Sequence, residues 1–220
     1  MIFEIDNVEL YFDEKQILNG VYLKAERGKL TGILGANGSG KSSLLNIFFG
    51  NLQPRHKLIR IDKKPYLKAL FKYGIVTYLP QQNFIPPKMK MATCFQLFKV
   101  DIIDFLKDYP EFKTYKKAKM RELSGGQRRV IEIYICLNSR AKLILLDEPF
   151  SHLSPIYIEK IKNLIQELKK EKAIILTDHM YRHILDSSDE LYLLKNGSTK
   201  LISKISELED YNYLKAGALY

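Results

Sequence analysis

The stretch Leu30-Thr31-Gly32-Ile33-Leu34-Gly35-Ala36-Asn37-Gly38-Ser39-Gly40-Lys41-Ser42-Ser43 decides how this chain folds. Its first five residues read as a strand that runs straight into a glycine loop, and Ser42 to Phe49 continues with apolar residues at helical spacing. Strand, glycine loop and helix in that order are the context in which the pattern G-x-x-x-x-G-K-[ST], here Gly35 to Ser42, cradles phosphate groups. Glycines let the backbone turn its N–H groups inward, and the start of the helix adds a partial positive charge worth about 0.3–2 kcal/mol to a nearby anion. Lys41 then supplies a full charge for the terminal phosphates, and the Ser42 hydroxyl a ligand for Mg2+.

Other stretches fit this reading. Leu143-Ile144-Leu145-Leu146-Asp147-Glu148-Pro149 is an apolar strand that delivers two carboxylates at its C-terminal end, where ligands of open α/β sheets gather. Leu123-Ser124-Gly125-Gly126-Gln127-Arg128-Arg129 combines a helix-capping serine, two glycines and a helix with apolar spacing that runs to about Leu137. As local structure it is an N-cap; as chemistry it is a second anion site, with glycines that let a phosphate approach the backbone. Ile75-Val76-Thr77-Tyr78-Leu79 is a strand ended by Pro80 and followed by Gln81 and Gln82, and Leu176-Thr177-Asp178-His179 sets polar groups at another strand end.

With these motifs in this order the chain resembles the ATP-binding cassette (ABC) ATPases, from Ile5 to about Leu201. The resemblance implies ATP and Mg2+ as cofactors. It assigns Gly35, Asn37, Gly38, Ser39, Gly40, Lys41, Ser42 and Ser43 to the phosphates, Asp147 to Mg2+, and Glu148 to the attacking water. Gln81, with Gln82 as the competing choice, is implied to reach the metal and the water and to link the core to a helical subdomain. His179 is implied to hydrogen-bond the γ-phosphate, and Phe12 (or Tyr11) to stack on adenine. Ser124, Gly125, Gly126 and Gln127 would close on the nucleotide of a second cassette, so that a dimer sandwiches two ATP molecules. One loop departs from the family pattern. Phe150-Ser151-His152-Leu153-Ser154 stands where small-Ser-Ala-Leu-Asp is usual, so the aspartate that bridges two cassettes is Ser154 here; His152 is read as incidental.

The expected fold is α/β: a P-loop NTPase core with an N-terminal antiparallel β-subdomain and an inserted α-helical signature subdomain. Residues 1–82 and 141–220 would form the core and 83–140 the insertion, because Phe95, Leu97, Phe98, Ile102, Ile103, Phe105 and Leu106 recur at helical spacing with no strand pattern between them. Residues 1–34 alternate apolar and polar, as strands of a partly exposed sheet do, and Asn196-Gly197 signals a hairpin.

At 220 residues the chain is long enough to bury a core, its longest apolar runs are strand-length, and two cysteines are too few for a disulfide scaffold or a four-ligand zinc site. The N-terminus carries no basic region followed by an apolar stretch, so no secretory leader is expected. The expected location is cytoplasmic, peripheral to the membrane. The formal charge of +10 suits a nucleic acid or an anionic membrane surface, with clusters at Lys113–Lys119 and Lys169–Lys172. The second cluster is read as the solvated face of a helix from Ile156 to Lys172. The function the resemblance implies is the ATP-hydrolysing subunit of an ABC transporter, paired as a homodimer or heterodimer and working with a separate transmembrane permease. The alternatives are a soluble ABC-type ATPase acting on nucleic acid or ribosomes, and a nucleotide-gated module with little turnover. The chain lacks the coiled coils, zinc modules and tandem cassettes usual in the former, which argues against a nucleic-acid partner.

Overall fold

The structure, a computed structural model, describes residues 1–215. It opens with two long antiparallel strands, β1 (Ile2–Phe12) and β2 (Lys15–Glu26), whose tight connection turns through Asp13 at φ 53°. Phe3, Ile5, Val8 and Leu10 alternate inward along β1, as the polar–apolar alternation predicts. The chain then enters β3 (Leu30–Leu34), every residue of which is buried, and α1 (Lys41–Phe49). Two further strands, β4 (His56–Ile61) and β5 (Lys64–Tyr66), complete an antiparallel sheet in the order β2-β1-β4-β5.

The second sheet adds β6 (Val76–Leu79), β7 (Leu143–Asp147), β8 (Ala173–Thr177), β9 (Glu190–Lys195) and β10 (Ser198–Ile202) to β3, in the order β10-β9-β3-β8-β7-β6. All its pairings are parallel except β9 with β10, which are joined by a turn at Asn196 (φ 50°) and Gly197 (φ 76°). Strands β7 and β8 are apolar almost without a break because they are covered on both faces. Leu143 and Leu145 pack into the core shared with α1 and the antiparallel sheet, whereas Ile144 and Leu146 pack into the core on the opposite face. Parallel strands end at one edge of the sheet. That edge brings the glycine loop after β3, the two carboxylates ending β7 and the polar residues after β8 within reach of one another.

Between β6 and β7 lie α2 (Met91–Phe98), α3 (Ile102–Asp108), two short 3-10 turns and α4 (Gly125–Asn138). The expected apolar periodicity is present but broken: Lys99 adopts φ 56°, and Asp101 caps α3 by accepting from Ile103 N at 2.7 Å. Phe105 is the hub of this segment, with ring centroids 4.9 Å from Phe95, 4.9 Å from Tyr134 and 5.1 Å from Phe112. The contact to Tyr134 fixes the segment to α4.

One helical expectation is corrected. α5 (Pro155–Leu168) stops at Leu168, so Lys169–Lys172 do not lie on its polar face. The Gly28 N–H takes the carbonyl of Lys169, Lys169 pairs with Asp189 at 2.8 Å, and Lys172 donates to Leu137 O and Ser139 O. Lys169 and Lys172 are structural, while Lys170 stays exposed. The short helices α6 (Tyr181–Ser187) and α7 (Glu207–Asp210) finish the described chain. Among the described residues no helix is long and apolar enough to cross a membrane.

Candidate active site

The glycine loop is held by contacts only glycine permits. A Cβ on Gly35 would lie 2.7 Å from Leu194 O and 2.7 Å from Ser39 Oγ, and Gly40, the N-cap of α1, sits at φ 103°. No side chain caps α1 and no acid occupies its first turn, so its leading N–H groups stay available to an anion. Lys41, 6% exposed, folds back to donate to Gly35 O at 2.7 Å and Ala36 O at 3.1 Å. Burial pulls its ammonium below the usual range, and the carboxylates of Glu148, Asp147 and Asp178 pull the other way.

Asp147 ends β7 and is 1% exposed. One of its oxygens accepts from Thr177 Oγ1 at 2.8 Å, the other from the Tyr78 hydroxyl at 3.0 Å, and that hydroxyl accepts from Asn46 Nδ2. These partners are neutral, and no described cation forms an ion pair with Asp147 within 4.0 Å. A buried carboxylate in that position fits a metal cation. Among the described residues no three His, Cys, Asp or Glu side chains converge as a metal cage. The donor set therefore suits Mg2+, which takes one or two carboxylates and draws its other ligands from water and phosphate.

Glu148 follows in a left-handed conformation, φ 47°, a strain of about 1–3 kcal/mol for a non-glycine residue. Its carboxylate accepts from Gln81 Nε2 at 2.9 Å and lies 3.4 Å from His179 Nδ1. Gln82 has no such contact and lines a different hollow, beside Asn83 and Gly125. Asp178, wholly buried, accepts from Met180 N at 2.8 Å and supports the loop carrying His179; burial pushes its carboxyl up.

A side chain with no role in the motif reading joins these parts. Arg129, 4% exposed on α4, donates to Pro80 O at 2.7 Å, Asp147 O at 2.8 Å and Glu148 O at 2.9 Å. One helical turn on, Glu132 accepts from Phe84 N and Ile85 N, so the two residues grip the backbone on both sides of the Gln81 loop. Burial lowers the Arg129 pKa and raises that of Glu132, and their 3.9 Å separation opposes both shifts. Thr177, Tyr78 and Asn46 also went unread. The one available signal was two opposite charges three positions apart among the apolar residues Val130, Ile131 and Ile133.

Ser124 caps α4: its Oγ accepts from Gln127 N at 3.2 Å, and Gln127 Oε1 accepts from Ser124 N at 2.9 Å. Gly126 is glycine because a Cβ there would lie 2.9 Å from His152 O. Gly125 faces open space. The main cleft, about 960 Å³, gathers Phe12, Asn37, Gly38, Gly40, Lys41, Ser42, Ser43, Gln81, Glu148 and His179. Asp147 lies buried beneath the edge, Gly35 and Ser39 support the loop, and Ser124 to Gln127 are not part of that cleft. Phe12 is 49% exposed in it, whereas Tyr11 holds Arg55 over its ring at 5.6 Å. His152 lines it too, at φ 65°.

The sequence model of the family described as ABC transporter matches residues 18–151. The chain belongs to the ABC transporter family. Relatives of this ABC protein include the uncharacterized ABC transporter ATP-binding protein MJ1023 of Methanocaldococcus jannaschii, 26% identical over 93% of this chain and 78% of that protein. Another is the energy-coupling factor transporter ATP-binding protein EcfA of Methanococcus maripaludis, 31% identical over 85% of this chain and 73% of that protein. Among solved structures, the ADP conformation of MJ1267, an ATP-binding cassette of an ABC transporter, superposes with a TM-score of 0.72 at 27% identity, covering 90% of this chain and 89% of that one. The mixed α/β architecture with its separate antiparallel sheet is that of this ABC structure.

Proposed function

We propose that this ABC protein binds and hydrolyses ATP as the nucleotide-binding subunit of a transporter whose permease is a separate chain. The observation that carries this is a single cleft in which the glycine loop and Lys41 face Gln81, Glu148 and His179. The loop N–H groups, Lys41, Ser43 and the N-terminus of α1 bind the phosphates, while Phe12 stacks on the adenine. Mg2+, held through Ser42 and Asp147 with Gln81 nearby, would supply charge neutralisation on the phosphate oxygens. Glu148 takes the proton of the attacking water, and the hydrogen bond from Gln81 together with the nearby His179 fixes its carboxylate.

In this reading residues 83–140 form a helical arm on a core made of 1–82 and 141–220. Ser124, Gly125, Gly126 and Gln127 serve the nucleotide of a second cassette, which makes the dimer the element that ATP closes and hydrolysis opens. The place of work is the cytoplasmic face of the membrane, with the permease as partner.

Glu148→Gln tests the chemistry. ATP turnover falls by about 10²-fold or more while ATP binding persists and an ATP-bound dimer accumulates. Normal turnover by that variant ends the assignment of Glu148. The transport half is tested by purifying the tagged chain from solubilised native membranes, where a stoichiometric polytopic membrane protein is expected to accompany it.

A further inference from the structure

The positive charge of this chain is not spread evenly. Residues 63–121 hold 13 of its 35 Lys and Arg but only 4 of its 25 Asp and Glu, and so carry +9 of the formal +10. Within that span the backbone pairs two segments antiparallel: Met91 N donates to Ala118 O, Met120 N to Met89 O and Arg121 N to Pro87 O. Lys90 falls directly opposite Lys119. Beyond that pair the register shifts by one residue, since Arg121, in a 3-10 turn, bonds to Pro87, which brings Arg121 close to Lys88 along the chain pairing.

Around this single bridge the apolar side chains turn inward and the cations outward. Met91 and Met120 are buried and Met89 packs against the core, while Lys88, Lys90, Lys117 and Arg121 are exposed and Lys119 is half-exposed. None of these five cations lies within 4.0 Å of a carboxylate in any described ion pair, and the neighbouring Glu122 is exposed and forms none either. Like charges directly opposite one another across a ladder are destabilising. The N-terminus of α2 opens at Lys90 with no capping side chain and no acid in its first turn, which adds to the local positive field. The fold thus sets Lys90 against Lys119 with further exposed cations beside them in the paired segments, and none of the five is neutralised in a described ion pair.

We propose that this cationic ribbon is a contact surface for anionic phospholipid headgroups, attaching the cassette to a membrane independently of any permease. Composition selects this occupant. The 13 cations of residues 63–121 are 12 lysines and one arginine. Protein interfaces favour arginine and are depleted in lysine, because the guanidinium fork pairs bidentately with carboxylates. A single-stranded nucleic acid would use aromatic platforms, and the outward positions of the ribbon carry none. Flexible point charges on one face suit a diffuse anionic surface, which attracts each nearby lysine or arginine additively.

The test is co-sedimentation of the purified full chain with vesicles of phosphatidylcholine containing 30% phosphatidylglycerol (about a third anionic, enough to set a negative surface potential), beside pure phosphatidylcholine vesicles. The chain is expected to bind the anionic vesicles only and to be released by high salt. Replacing Lys88, Lys90, Lys119 and Arg121 by Gln weakens binding about tenfold or more. A charge-matched control replacing Lys142, Lys170, Lys200 and Lys204 by Gln changes it less than about threefold. The single variant Lys90→Gln relieves the cross-strand repulsion, so it melts no lower than the parent while binding vesicles more weakly; it serves if the quadruple variant folds poorly. Equal loss in ribbon and control variants overturns the proposal, as does absence of binding to anionic vesicles. Tighter retention on poly(U) RNA or polyglutamate than on vesicles also overturns it. Vesicle binding without a co-purifying permease would undo the transporter reading alone, and a permease without vesicle binding would undo this one alone.

Discussion

Two helices of this chain begin at glycines, and they begin differently. α1 starts from Gly40 in a left-handed conformation, pressed on by Leu18, with its leading N–H groups uncapped and Lys41 already beneath the loop. α4 starts from a closed capping box between Ser124 and Gln127, and a Cβ placed on its first glycine, Gly125, would meet no atom within 4 Å. The first glycine site is explained by its own chain. At the second, Gly126 is explained by His152 O, while the open space at Gly125 is what the proposed approach of a second cassette's nucleotide would use.

What ties α4 to the strand ends facing the glycine loop is Arg129. It leaves α4 and ends on the carbonyls of Pro80, Asp147 and Glu148, at distances of 2.7 to 2.9 Å. If the two regions were independent, Arg129→Met would cost only local packing. Instead it leaves Glu132 buried without its ion pair to Arg129 and removes the guanidinium bonds to three carbonyls, and breaking a buried pair of this kind costs about 3–5 kcal/mol. For a chain of this size that is a fall of roughly 6–20 °C in thermal midpoint. ATP turnover at permissive temperature falls as well, because the backbone of Glu148 is no longer held. A variant that melts and turns over like the parent would show that the two regions are not coupled through α4.

Paired glycine substitutions sharpen the contrast. Gly40→Ala forces an L-residue to φ 103° with its Cβ 2.8 Å from Leu18, at a cost of about 2–3 kcal/mol, and it weakens nucleotide binding. Gly125→Ala meets no atom within 4 Å and carries no positive φ, so the melting midpoint holds or rises slightly with the better helix propensity of alanine. Turnover nevertheless falls about tenfold or more if a second cassette's nucleotide must approach that backbone. Thermal melts beside steady-state turnover read both effects. Unchanged turnover in Gly125→Ala would remove the trans role of α4.

The same contrast explains what could be read from sequence. The glycine loop, both carboxylates and the capping serine are local patterns in which each residue's role follows from neighbours a few positions away. The parallel strands announced themselves because burial on both faces leaves an unbroken apolar run, as in Leu143 to Leu146. Arg129 and Glu132 did not, because their partners are backbone groups far along the chain and a backbone carbonyl has no letter in the sequence. The end of α5 was missed for a related reason. Lysines extend a helical pattern without interruption, and only the tertiary claims of Gly28, Asp189 and the end of α4 on Lys169 to Lys172 stop it at Leu168.

The far end of α4 completes the comparison, since it is closed by a charge where the start is closed by a neutral capping box. Lys172 donates to Leu137 O and to Ser139 O at 2.6 Å, a cation on the last carbonyls of the helix. Burial, reinforced by the nearby Lys142 charge, pulls its pKa down to about 8 from 10.5, with Glu171 opposing. Below about pH 8 the ammonium is charged in both the folded and the unfolded chain, and its desolvation is a cost borne by the fold. Between about 8 and 10.5 the folded chain sheds the proton while the unfolded chain keeps it, so this group's contribution to stability grows as pH rises through that window. Lys172→Met removes the titration. The stability of the parent relative to that variant should therefore rise by about 1–2 kcal/mol between pH 7 and 9.5, measured by urea unfolding at each pH. A difference that stays flat with pH would mean that the two carbonyls hold the charge on Lys172 as firmly as water does, and that the helix end is capped without cost.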